Sequence, residues 1–144
     1  MIRGGFTFGR PVLRAVVVIP WADATGRPNE ARAELTFLVD TGTDQTIICP
    51  RDYEVRLGLP LSAAPRISGR IAGVGGSSAM RAIAGSVELQ EEDGGWRSIS
   101  LVLAIPESAP NQPPLQVSLL GADVWGLGVL TVDRPRGRLT LDLG

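Results

Sequence analysis

From Ala33 to Val39 an apolar stretch runs straight into a carboxylate, Asp40, and then into the turn residues Thr41 and Gly42. The run Leu-Thr-Phe-Leu-Val reads as a buried strand, and a charge at the end of a buried strand is unfavourable unless it is paired or used. Any fold for this chain has to bring Asp40 to a place where its charge is answered. Asp40 is therefore the first candidate for chemistry.

Around that point the chain is built from short apolar runs punctuated by glycine and proline. Val12, Leu13 and Val16 to Ile19 form a β-branched run between Pro11 and Pro20, which predicts a buried strand. Trp21 to Arg32, with Gly26 and Pro28, reads as a loop. Thr46 to Cys49 is extended, and Pro50 followed by Tyr53, Val55, Leu57 and Gly58 predicts a short helix from about Pro50 to Leu57. Pro65 to Ser86 predicts two strands joined at the glycine-rich Gly73-Val74-Gly75-Gly76.

Further on, Val87 to Leu89 and Ile99 to Ile105 read as strands joined through the acidic turn Glu91 to Gly95, and the prolines between Pro106 and Pro114 predict a surface loop. Val117 to Leu120 is a strand, followed by a helical turn through Trp125. Val129 to Val132 and Arg138 to Leu143 close the chain as a hairpin about Asp133 to Gly137. The pattern predicts an all-β, barrel-like domain over residues 1–144, with one or two short helices.

The residue types that are missing narrow the chemistry. The chain has no His, which removes Ser-His-Asp and Cys-His catalysis and imidazole zinc sites. It has no Lys, and all 14 cationic residues are Arg, so Ser-Lys dyads, Schiff bases and the phosphate-loop lysine are absent too. Hydrolytic chemistry would have to run on carboxylates. The arginines are scattered and the net charge is -1, so no partnership with nucleic acid is expected. The longest N-terminal apolar run, Ala15 to Trp21, is far short of a membrane span, and no secretory signal is visible. A cytoplasmic protein without a membrane partner is the expectation. Cys49 stands alone, next to Ile47 and Ile48, and reads as a buried apolar filler.

An Asp before a Gly is often an ordinary turn residue, but here four motifs stand in order. Asp40-Thr41-Gly42-Thr43-Asp44-Gln45-Thr46, Pro50 to Leu59, Ile71-Ala72-Gly73-Val74-Gly75-Gly76 and Leu119-Leu120-Gly121-Ala122-Asp123 together resemble the retropepsin-like, or retroviral-type, aspartic peptidases. The resemblance covers most of the chain and implies a closed barrel of the retropepsin type, an aspartic endopeptidase activity and no metal or organic cofactor. It implies Asp40 as the catalytic acid. Thr41 and Gly42 would support the loop, and Asp44 would bind substrate backbone or brace the loop. Gly73, Val74, Gly75 and Gly76 would form a flap over an extended polypeptide substrate, with Leu120, Gly121 and Asp123 as the structural motif below the site.

Only one Asp-Thr-Gly is present, and Asp142 lacks the following Thr, so the resemblance implies a homodimer with one Asp40 from each subunit. Retroviral members carry an arginine directly after the glycine of the C-terminal motif, paired with the loop's second aspartate; here Ala122 stands in its place. A catalytically silent dimeric module that captures peptides in the same groove is the alternative. A glycosidase using Asp40 with Asp44 or Asp52 also fits the missing His but has no sugar motif beside it.

Overall fold

The β-branched run about Val16 to Ile19 becomes the centre of the molecule. In the computed structural model, which describes residues 1–63, 66–73, 76–107 and 113–144, it lies in β2 (Arg10–Ala22). This strand pairs with three others: β1 (Ile2–Thr7), β3 (Pro28–Val39) and β5 (Gly76–Gln90). Val17 and Ile19 are fully buried there. β-Branched side chains suit such a site because their few rotamers pack on a pleated surface with little entropy left to lose.

Two hairpins account for most of the sheet. β2 and β3 pair antiparallel from Val12↔Leu38 to Ala22↔Pro28. The segment Trp21 to Arg32, read as a loop from its polarity, is therefore mostly strand. The turn is confined to a few residues, where Asp23 Oδ1 accepts from the backbone N–H groups of Thr25 and Arg27. Exposed strand ends tolerate polar residues, and cross-strand pairing outweighs their composition. β5 pairs with β6 (Trp96–Pro106) along its second half and with β4 (Arg66–Gly73) along its first, the latter closing at Gly73↔Gly76. Val74 and Gly75 lie outside the described residues.

The C-terminal part completes the sheet. β7 (Ser118–Leu120) pairs in parallel with β3, and a single helical turn, α1 (Ala122–Trp125), follows it. β8 (Val129–Asp133) and β9 (Arg138–Asp142) form the terminal hairpin, and β9 pairs with β1. The β1 strand had no separate signal, because Gly4 and Gly5 dilute its apolar pattern.

The strands do not close into the expected barrel. Among the described residues β6 and β7 do not pair directly, and the space between them is spanned by single-residue bridges from Ile47 to Ala104 and to Leu119. The reason lies in the chain between β3 and β6. Thr46 to Ile48 is extended and exchanges backbone hydrogen bonds with both neighbours, at 2.8 Å to Leu119 and 2.8 Å from Ile48 N–H to Ala104, but it is too short to form a ladder.

The predicted helix from Pro50 is also shorter and looser. After Pro50 and Arg51 it widens into a π-type turn over Asp52–Arg56, and Gly58 leaves it at a φ of +69°. Among the described residues no helix is long and apolar enough to cross a membrane.

The main core gathers Leu13, Val17, Ile19, Leu35, Phe37, Leu103, Leu120 and Leu139. Ser118, with no solvent exposure, ties three parts of it together: its hydroxyl accepts the Cys49 N–H at 3.0 Å and donates to Asp52 Oδ2 at 2.7 Å. A Ser118→Ala substitution strands both partners, and an unmet buried polar group costs roughly 1–3 kcal/mol. Urea unfolding of that variant should show a loss of this size with the m-value unchanged.

Candidate active site

The Asp40 loop has little structure of its own and is held from one side. β3 delivers Asp40, and beyond it the chain turns at Thr41 and Gly42, both exposed. Gly42 N–H donates to Asp40 Oδ1 at 2.8 Å, and a Cβ built on Gly42 would sit 3.2 Å from that oxygen. The carboxyl is thus aimed by the residue two places on, which glycine allows to approach. Asp40 itself is half-buried.

The remaining contacts come from β7 and α1. Asp40 N–H donates to Leu120 O at 3.3 Å, and Asp40 O accepts the Trp125 indole N–H at 3.2 Å. Ala122 N–H and Asp123 N–H donate to Thr43 O and Asp44 O, each at 3.0 Å. These two N–H groups open the first turn of α1, where no intrahelical acceptor is available to them.

Beneath the loop, Asp123 takes both hydrogens of Thr46: Oδ1 accepts the hydroxyl at 2.6 Å and Oδ2 the backbone N–H at 2.9 Å. Thr46 Oγ1 in turn accepts the Gly121 N–H at 3.1 Å. Gly121 is required at this crossing, since a Cβ there would lie 2.3 Å from the Gln45 carbonyl carbon and 2.4 Å from its oxygen.

The structure therefore brings Asp40, Gly42, Leu120, Gly121 and Asp123 into one hydrogen-bonded unit. Thr41 stands on its exposed rim. Asp44 contributes only its main chain; its carboxylate is exposed and makes no side-chain hydrogen bond among the described residues. Gly73 and Gly76 pair at the end of the β4–β5 hairpin, while Val74 and Gly75, the tip of the expected flap, fall outside the described residues. Sequence reasoning missed Thr46 and Trp125. A threonine between polar Gln45 and apolar Ile47 was a faint signal for the first, and a tryptophan closing a four-residue helix was one for the second.

Other chemistry is poorly served. No cluster of three or more His, Cys, Asp or Glu residues suited to a metal ion occurs among the described residues. Cys49 is buried, and its desolvation pushes the thiol pKa up, which keeps it protonated and a weak nucleophile. A groove of about 620 Å³ lies elsewhere, lined by Arg3, Arg14, Glu34, Glu92 and Trp96 among others, and contains no residue of the Asp40 loop. Its charges are met internally, Arg3 by Glu92 and Arg14 by Glu34.

Set against solved structures, the chain is similar to a retropepsin-like aspartic protease from Rickettsia conorii, with a TM-score of 0.50 over 92% of this chain and 94% of that one. The two share a fold. Their sequences are 16% identical, so the likeness is carried by architecture rather than by residue identity. No protein-family model matches the chain, and no curated protein matches it in sequence.

Two measurements check this geometry. In a double-mutant cycle of Thr46→Val and Asp123→Ala, followed by urea unfolding, the residues should couple by roughly 0.5–3 kcal/mol, the range for side chains in one network. Cys49 should resist a thiol-reactive disulfide reagent in the folded protein and react fully once urea unfolds it.

Proposed function

We propose that the protein is a homodimeric aspartic endopeptidase in which Asp40 of each subunit supplies one half of the catalytic pair. The observation that carries this reading is the fixed presentation of Asp40: a half-buried carboxyl at the end of a core strand, aimed by Gly42 N–H and held through its backbone by β7 and α1. The retropepsin-like fold and the absence of His and Lys support it. One chain offers one such carboxyl, whereas the reaction needs an acid and a base, so a second copy has to bring the other.

Two carboxyls within hydrogen-bond reach hold one proton between them, because both cannot be ionised at low cost. The ionised Asp40 takes a proton from a water molecule as the water oxygen bonds to the peptide carbonyl carbon. The protonated Asp40 of the other subunit gives its proton to the carbonyl oxygen, and a gem-diol results. The first carboxyl then passes its proton to the amide nitrogen, the C–N bond breaks, and the second recovers a proton from a hydroxyl. The products are a carboxylic acid and an amine, and no metal or organic cofactor enters the balance.

Under this reading the β4–β5 hairpin, which ends in the Gly73–Gly76 pair, closes over an extended polypeptide, and Thr41 on the exposed rim links the two loops. Asp44 serves the substrate. Its carboxylate is exposed and uncommitted while its carbonyl is held, so it is available to accept backbone N–H groups of a bound peptide.

The test is cleavage of an unfolded polypeptide at about pH 4 to 6, the range in which a shared-proton pair operates. Wild-type protein should cut and sediment as a dimer, and Asp40→Asn should lose at least about 1,000-fold in kcat while remaining folded. Equal cleavage by the Asp40→Asn protein, or none by wild type at any pH, removes the proposal. Binding of a peptide without turnover in both proteins would favour the silent peptide-capturing module.

A further inference from the structure

Asp40 is gripped by its own backbone at both ends, and one grip comes from a side chain. Its N–H donates to Leu120 O at 3.3 Å, and its carbonyl accepts the Trp125 indole N–H at 3.2 Å. The turn's own donor to that carbonyl, Thr43 N–H, stands at 3.5 Å, the outer limit of a hydrogen bond. The Asp40–Thr41 peptide unit therefore depends on the indole more than on the loop it belongs to.

Trp125 is well suited to this. Its ring is packed against the main core, whereas Trp21 and Trp96, the other two tryptophans, are 38% and 54% exposed. An indole has one donor and no acceptor, so when it is packed inside, its N–H seeks a fixed oxygen. α1 places that N–H at Asp40 because its first two N–H groups are already anchored to Thr43 O and Asp44 O.

We infer that Trp125 is a positioning residue of the site: its indole N–H fixes the Asp40 peptide unit and, through it, the direction of the carboxyl that Gly42 N–H then holds. It acts through the main chain and touches neither carboxyl oxygen. The kinetic part of this inference rests on the peptidase reading; the structural part does not. Misplacement of a reacting group by a fraction of an ångström to an ångström is felt in turnover before it is felt in binding.

The test removes the donor and keeps the shape. In a Trp21→Phe, Trp96→Phe background, position 125 is filled either with tryptophan or with benzothienylalanine, in which sulfur replaces the indole N–H. The donor-free protein should lose between about 10- and 100-fold in kcat, with KM within about twofold and the urea midpoint close to its tryptophan parent. The amide of Gly42, followed by NMR hydrogen exchange, should exchange about tenfold faster, as expected when its acceptor carboxyl is freed. Filling the position with 5-fluorotryptophan, which keeps the donor, should restore both.

Unchanged kcat and unchanged Gly42 exchange in the donor-free protein overturn the inference. So does a loss of kcat that tracks an equal loss of unfolding midpoint, which would make Trp125 a packing residue only. If the tryptophan parent itself shows no turnover, the peptidase reading fails. Gly42 exchange then decides the role of Trp125 alone: faster exchange sustains it, and unchanged exchange ends it.

Discussion

The site depends on a single crossing, where Gly121 lies against the peptide between Gln45 and Thr46. A Cβ at that point would sit within 2.4 Å of the Gln45 carbonyl, and no rearrangement short of moving α1 would relieve it. Because the two segments come that close, Thr46 can reach Asp123 and Gly121 at once. The first N–H groups of α1 likewise reach Thr43 and Asp44. Removing the approach would dismantle five hydrogen bonds together. They would go as a set, since groups in one network lose their partners jointly.

That arrangement joins the loop to α1 without any cation. With Ala122 directly after Gly121, the junction is joined by main-chain donors and by the Asp123 carboxylate working from beneath. The negative charge of Asp123 is met by a hydroxyl and an N–H rather than by a cation. The Asp44 carboxylate is exposed and makes no side-chain hydrogen bond among the described residues. The loop is secured from the core side, and its outer side stays open.

What the sequence made legible follows from where each interaction is written. Asp40 and Gly42 stood out because each imposes a local demand, a charge at a strand end and a turn without a Cβ, whereas Gly121 came only with the motif resemblance and its close approach to Gln45 needed the structure. The strand around Val16 to Ile19 was readable from β-branching. The β2–β3 hairpin was under-read because Asn29, Glu30 and Arg32 face solvent, and polarity alone does not separate an exposed strand from a loop. Ring closure failed as an expectation because the link between β6 and β7 rests on two bridges from one residue, Ile47, and a single residue leaves no periodicity. Trp125 could be placed on a helical turn but not given a partner, since its acceptor is a main-chain carbonyl 85 positions away.

The chain secures the Asp40 loop on the core side through β7 and α1, so the stabilising contacts lie beneath it while Thr41 and Gly42 stay exposed. The core side holds the Asp40 peptide unit through Leu120 and Trp125, and Gly42 N–H aims the carboxyl. A loop already clamped by Gly121, Asp123 and Trp125 has little ordering entropy left to lose, and that pre-organisation lets a short, glycine-containing turn carry a fixed carboxyl.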